Sequence, residues 1–258
     1  MRLDQFLVHQ NLIDTRTKAK SAITQGLIYC DGQQITKPSF EVTDNTQVEM
    51  KGCLLPYVSR GGLKLEKALN DFQIDLSEKI VLDIGSSTGG FTDCALQHKA
   101  KSVIAVDVGT NQLAPVLRTN PAVIVYEQTD FRTISTEKIN ACQIAVSDVS
   151  FISVTKMIPK LQQIENLTDL ICLIKPQFEC GKETADKYKG IIKNPKIHSQ
   201  VLTTVITTFE ENGFHLHHLT VSPIKGTSGN TEYLAHFKKE PSNFSPNINE
   251  LTQKAFQK

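Results

Sequence analysis

No apolar run in this sequence approaches the ~18 residues of a membrane span, and no apolar segment follows Met1-Arg2-Leu3-Asp4 as a secretory leader would require. These absences predict a cytoplasmic protein that does not cross a membrane. An excess of charge is missing too. Lys and Arg number 28 against 27 Asp and Glu, a formal charge of +1. A nucleic-acid partner would therefore have to be met by a local basic patch and not by the whole surface. The six cysteines, at 30, 53, 94, 142, 172 and 180, form no C-x-x-C pair and mostly sit inside apolar segments. That pattern fits buried thiols in a reducing compartment better than disulfides. His215, His217 and His218 cluster without a Cys or carboxylate at ligand spacing, so they read as strand residues and no metal site is expected. There is no internal repeat. With 258 residues, 40% of them hydrophobic, the chain can build one large domain and one small one.

The stretch that organises the chain is Val81–Phe91, V-L-D-I-G-S-S-T-G-G-F. Ile80-Val81-Leu82 reads as a buried strand ending in Asp83. Gly85, Ser86, Ser87, Thr88, Gly89 and Gly90 make a loop of small residues, and Phe91 to Leu96 begins a helix. Strand, glycine-rich turn and helix are how open α/β sheets hold a nucleotide-like ligand at their carboxyl edge. The spacing D-x-G-x-x-x-G-G is neither the dinucleotide fingerprint nor the phosphate loop, and no Lys follows the glycines to cradle a phosphate. A second strand, Ser102–Val106, ends in Asp107. An acid about 20 residues past the loop can accept both hydroxyls of a ribose. The pair of features points to an adenosine ligand without a pyrophosphate, S-adenosylmethionine. The plainer alternative is an ordinary turn with a surface Asp.

Residues 3–50 read as a separate unit. Leu3, Phe6, Leu7 and Leu12 have helical spacing. Asp14-Thr15 can cap a second helix over 16–25 whose inner face is Ala19, Ala22 and Ile23 and whose stop is Gly26. Leu27–Cys30, the hairpin signal Asp31-Gly32, a return over 33–36 and a strand over 42–50 follow. The second helix carries Arg16, Lys18 and Lys20 with no acid between them, and Arg2 and Lys37 could join them. Three such charges alone are more often a solvated face.

After the linker, alternation of strands with helices predicts a doubly wound α/β sheet of about seven strands, at 80–84, 102–106, 122–126, 143–147, 169–174, 214–221 and 231–237, joined by six crossovers. The clearest helices are 153–165 and 197–212. Four ionisable residues stand at strand ends or beside the loop: Lys64, Asp148, Lys175 and Glu232. Each alone reads as a strand-end surface charge. Together they could deprotonate a substrate, since a buried Lys can work as a base at that edge.

The order of motifs closely resembles a known family. R-L-D-x-F-L and T-R-x-x-A-x-x-x-I-x-x-G-x-I-x-x-D-G resemble the small RNA-binding domain first described in a ribosomal small-subunit protein. R-G-G-L-K-L-E-K-A-L, D-I-G-S-S-T-G-G-F-T-D, V-D-V-G-x-x-Q-L, D-V-S-F-I-S and I-K-P-Q-F-E look like the TlyA family over residues 2–237. Its members are called haemolysins yet act as ribosomal RNA 2′-O-methyltransferases with an FtsJ-like Rossmann-type domain. The resemblance implies an α+β RNA-binding domain at 1–51, a linker at 52–59, a methyltransferase domain at 60–240 and a polar tail at 241–258. It implies that Arg2, Arg16, Lys18, Lys20 and Lys37 meet RNA, and that Asp83, Gly85, Ser87, Gly89, Phe91 and Asp107 hold S-adenosylmethionine. It also implies a catalytic tetrad of Lys64, Asp148, Lys175 and Glu232, with Lys175 as our choice of base. Asp130 in T-D-F-R is a candidate for the adenine edge, where the family more often has Asn. Thr110-Asn111 replaces the usual Tyr-Gly. The implied partner is ribosomal RNA or a ribosomal subunit. A membrane-active cytolysin and a catalytically silent ribosome-binding factor are the competing readings.

Overall fold

A computed structural model describes residues 1–52 and 54–257, which divide into two compact units, Met1–Pro56 and Tyr57–Lys258. Cys53 lies outside the described residues. The other five cysteines are free, and four of them, Cys30, Cys94, Cys142 and Cys172, are buried.

The first unit packs helices α1 (Leu3–His9) and α2 (Arg16–Thr24) on a sheet of β1 (Ile28–Cys30), β2 (Gln33–Ile35) and β3 (Val48–Met50), ordered β2-β1-β3 and antiparallel throughout. Thr15 caps α2 by accepting from Lys18 N at 3.2 Å. Cys30 and Gln33 pair across a two-residue turn in which Asp31 and Gly32 both take positive φ, 49° and 81°, as a tight hairpin requires. Leu3, Leu7, Ala19, Ala22, Ile23 and Ile28 are buried together. The strand expected over 42–50 is shorter. Val42 is buried, but residues 43–46 turn, and pairing resumes at β3.

The second unit opens with α3 (Gly61–Phe72), followed by β4 (Ile80–Ile84), α4 (Gly90–Gln97), β5 (Ser102–Val106), α5 (Pro115–Arg118), β6 (Val123–Tyr126) and β7 (Ile144–Ser147). Then come α6 (Ile158–Leu161), β8 (Asp169–Ile174), α7 (Pro176–Glu179), α8 (Lys182–Lys187), α9 (Pro195–Glu211), β9 (His215–Val221), β10 (Tyr233–Lys238) and α10 (Ile248–Lys254). The sheet order is β6-β5-β4-β7-β8-β10-β9. β4 to β8 are parallel, and β10 runs antiparallel to both β8 and β9. The strands are near-continuously apolar because helices cover both faces. Val81, Val103, Val146 and Leu173 meet α3 and α4 on one face, and Leu82, Ala145, Leu170 and Cys172 meet α9 on the other. Progression reverses between β4 and β7, the switch point where such sheets bind ligands beyond their carboxyl ends.

The structure departs from four expectations. Five connections are crossovers, but the sixth, β9 to β10, reverses direction. Its 11 residues, 222–232, contain no helix, and a parallel crossover needs roughly a dozen or more. The helix expected over 153–165 is a 3-10 turn, Val154–Met157, followed by the four residues of α6. Pro159 has no N–H to join the two. The end of the expected linker is part of the second unit: Tyr57 is buried against α3 and donates to Glu66 Oε1 at 2.8 Å. The polar tail ends in a docked helix. In α10, Thr252 is buried and Asn249 Oδ1 accepts from Ser199 of α9 at 2.6 Å.

Candidate active site

The glycine-rich turn is shaped by backbone demands. Gly85 and Gly89 have φ of 80° and 96°, values that β-carbon-bearing residues rarely adopt. Gly85 N donates to Val106 O at 2.8 Å, so the turn is clipped to the end of β5. A Cβ on Gly89 would lie 2.4 Å from Leu117 and 2.7 Å from Leu113, so this glycine packs against apolar side chains and does not line the cavity. Asp83 is fully buried beneath the turn and accepts from Thr92 Oγ1 of α4 at 2.6 Å. Burial, with a smaller push from Asp148, raises its pKa to about 7. Both residues fix the turn from behind, whereas Gly85, Ser87 and Phe91 line the cavity.

Asp107, just past β5, grips the turn with both oxygens. Oδ2 accepts from Ser87 N at 2.8 Å and Oδ1 from Gly109 N at 2.7 Å. Each carboxylate oxygen keeps a second lone pair. Asp130 is oriented differently from its adenine expectation. Arg132 Nε reaches both its oxygens, at 3.0 and 3.1 Å, and Asp130 is not part of the cavity lining. Thr110 and Asn111 belong to a loop that Glu127 organises. Its carboxylate accepts from the backbone N–H of Asn111, Gln112 and Leu113 and from Arg118. The Arg118 guanidinium and these N–H groups hold the Glu127 carboxyl down at about 2.

The cavity of about 830 Å³ at the carboxyl edge gathers Lys64, Asp148, Lys175 and Glu232. Lys64 comes from the first turn of α3, Asp148 follows β7, Lys175 follows β8, and Glu232 immediately precedes β10. The reversal of β10 is what brings Glu232 here. Tyr233 pairs with Ile174, so the start of one strand lies beside the end of the other. Lys64 Nζ lies 2.7 Å from Glu232 Oε2 and 3.2 Å from Asp148 Oδ2. Lys175 Nζ lies 2.5 Å from Asp148 Oδ1 and donates to Ser150 Oγ at 2.8 Å. Two cations and two carboxylates balance in a partly desolvated space. Burial alone would lower the Lys64 pKa, but Asp148 and Glu232 outweigh it and raise it.

Sequence reasoning missed several residues of this cavity. Phe151 is 91% exposed, has φ of 65° and stands 5.1 Å, centroid to centroid, from Phe178. A bulky residue in the left-handed region is strained, and such strain gathers at functional sites. Its signal in the sequence is the stretch D-V-S-F-I-S, where the Asp draws the eye first. Asn230 is buried and clamps a loop at the cavity wall, accepting from Ile192 N at 2.9 Å and donating to Gly190 O at 2.8 Å. No local pattern announces that clamp, because its partners lie about 40 residues away.

In the first unit, Arg2 and Arg16 converge on one buried carboxylate. Arg2 Nε lies 3.0 Å from Asp4 Oδ1 and Arg16 Nε 2.9 Å from Asp4 Oδ2, with Asp4 fully buried. Lys18 pairs with Asp14 at 2.9 Å. Lys20 and Lys37 are exposed and join no ion pair among the described residues. The basic helix is therefore more balanced than its own sequence suggests.

The chain is similar to known proteins along most of its length. Residues 57–239 match the FtsJ-like methyltransferase family, and residues 1–48 match the S4 domain. The chain is 42% identical to hemolysin A of Brachyspira hyodysenteriae, over 92% of this chain and 99% of that one. It is 37% identical to the 16S/23S rRNA (cytidine-2′-O)-methyltransferase TlyA of Mycobacterium tuberculosis, over 90% of this chain and 87% of that one. A solved hemolysin-type structure from Streptococcus thermophilus superposes with a TM-score of 0.75 at 41% identity, covering 99% of this chain and 95% of that one.

Proposed function

Because the chain belongs to the FtsJ-like methyltransferase family and carries an S4 domain, we propose that it methylates the ribose 2′-hydroxyl of a cytidine in ribosomal RNA, in the cytoplasm, using S-adenosylmethionine. The observation that carries this reading is the cluster of Lys64, Asp148, Lys175 and Glu232 in one cavity beside the glycine-rich turn. Mass mapping of 2′-O-methyl groups on ribosomal RNA from cells with and without the protein tests it. The loss of a cytidine methyl is expected, and identical maps would overturn it. No helix among the described residues is long and apolar enough to cross a membrane, which gives the cytolysin reading no support.

The residues present suit S-adenosylmethionine. A turn of small residues allows close approach, no Lys stands by it to demand a phosphate, and Asp107 has acceptor capacity left for two ribose hydroxyls. When bound, the cofactor supplies a methyl group on a sulfonium, already an excellent leaving group. The chain's own work lies with the other partner. A ribose hydroxyl is a poor nucleophile until its proton leaves, so alignment and proton removal are the tasks. Lys175 Nζ is the group we assign to take that proton, held in place by Asp148 and Ser150. Lys64 and Glu232 complete the charge network from the opposite side of Asp148. A ribose within structured RNA is hard to reach, so the target nucleotide is turned out of its stack. The Phe151–Phe178 pair offers a face on which its base can rest.

Asp107→Ala is expected to weaken S-adenosylmethionine binding by about tenfold or more, the worth of roughly 1.5–3 kcal/mol for hydrogen bonds to a charged group. Calorimetric titration measures it, and unchanged affinity would remove Asp107 from the ribose. In the first unit, Arg16→Ala combined with Lys20→Ala should flatten the salt dependence of binding to ribosomal RNA. The slope should fall by about one unit for each phosphate that these side chains neutralise in the wild type. Cofactor affinity should not move. A wild-type salt slope in the double variant would return these charges to an ordinary solvated face.

A further inference from the structure

Among the described residues, four buried side-chain atoms stand without a hydrogen-bond partner: Asp83 Oδ1, Ser147 Oγ, Asp148 Oδ1 and Gln177 Oε1. Asp148 Oδ1 is already in the ion pair with Lys175. Asp83 and Ser147 end β4 and β7 and do not line the cavity. Gln177 does line it. It sits in α7, between Lys175, which we assign as the base, and Phe178 of the aromatic pair. Buried amide oxygens are almost always paired, so an orphan at a cavity wall calls for a reason. Here the flanking residues supply one: a base turned out toward Phe151 and Phe178 brings its edge to the amide between them.

We propose that Gln177 reads the Watson–Crick edge of the target base and selects cytosine, an inference that rests on the RNA methylation proposed above. The enclosed end of the amide is an acceptor and needs a donor. Cytosine presents its exocyclic amino group as that donor, beside the N3 acceptor that the Gln177 amide nitrogen can satisfy. Uracil presents an oxygen at the same place, setting two acceptors face to face. A site that has buried a polar group for one hydrogen bond rejects the analogue lacking it much more strongly than an apolar pocket would.

Two ribosomal RNA transcripts test this, one with the natural cytidine at the mapped position and one with uridine there, methylated in single-turnover reactions by the full-length protein. Wild type should favour the cytidine RNA by about tenfold or more. Gln177→Leu should slow the cytidine reaction by a similar factor, leave the uridine reaction within about twofold and bring the ratio toward one. Gln177→Glu, which keeps the acceptor, should retain a preference for cytidine. Cofactor affinity should be unchanged in both variants, since Gln177 faces the base. Should Gln177→Leu fail to fold, Gln177→Met, equally without hydrogen-bonding capacity, carries the same comparison. Equal rates on both RNAs by wild type, or an unaltered ratio in the apolar variant, overturns the assignment of Gln177 alone. Failure of wild type to methylate either RNA overturns the methyltransferase reading itself.

Discussion

Replacing Lys175 by Ala is expected to cut single-turnover methyl transfer by roughly a hundredfold or more, the usual worth of a positioned acid or base, with RNA and cofactor binding nearly intact. The side chain leaves the end of β8 and reaches Asp148 Oδ1 and Ser150 Oγ within the cavity. Lys175→Arg should not restore the rate. A guanidinium keeps its protons and has no lone pair to accept the hydroxyl proton, and its planar fork would not reproduce the single-point contact with Asp148. The arginine variant separates two roles that alanine cannot. A near-wild-type rate with arginine would mean that Lys175 contributes positive charge only, and that the proton leaves to water or to Asp148.

The second large effect is expected from one methyl group. Gly90 is buried where α4 begins, and a Cβ there would lie 2.3 Å from Ser59 Oγ, 2.8 Å from Gly62 N and 3.2 Å from Gly61 Cα. The Ser59 hydroxyl can swing away, but the backbone at the start of α3 cannot. Gly90→Ala therefore pushes α3 from α4. An overpacked contact of this kind costs about 2–3 kcal/mol, which for a domain of this size lowers Tm by roughly 5–10 °C. Because Lys64 lies two residues beyond Gly62, the same shift should loosen its contacts with Asp148 and Glu232 and slow methyl transfer by about tenfold or more. Thermal unfolding followed by two probes and a single-turnover assay read both effects. An unaltered Tm would mean that the helix pair absorbs a methyl without moving.

What the sequence disclosed follows from which physical constraints are local. The five parallel strands were legible because helices bury both of their faces, so each is an apolar run with a polar residue at its end. The same rule exposed Asp107, Asp148 and Lys175, which stand where those runs stop. Spacing did not reveal which way a loop residue faces. Gly89 and Asp83 belong to the motif yet turn away from the cavity, toward Leu113 and Leu117 in one case and Thr92 in the other. Distance along the chain hid the rest. Asp4, which holds Arg16, lies 12 residues upstream of it, so the basic helix looked free of acids. Glu127 gathers three backbone N–H groups from a loop 14–16 residues earlier. The direction of β10 was also invisible, because an alternation of apolar and polar residues reads the same from either end.

That reversed strand has a consequence for how the chain is made. β10 lies between β8 and β9, although both precede it in sequence. While the protein is being synthesised, β8 and β9 emerge with a gap between them one strand wide, which they cannot close by pairing directly in the final arrangement. Two rows of backbone N–H and C=O groups wait there, the kind of open edge that recruits a neighbouring chain. Residues 233–238 must slide into the gap from the ligand side outward. Glu232, leading them in, is the last of the four ionisable residues to arrive. A nascent or truncated chain ending before it would hold Lys64 without its 2.7 Å partner and the sheet without its keystone. Folding and assembly of the tetrad thus finish in one event, late in synthesis, so that a partly made enzyme has neither a closed sheet nor a complete site.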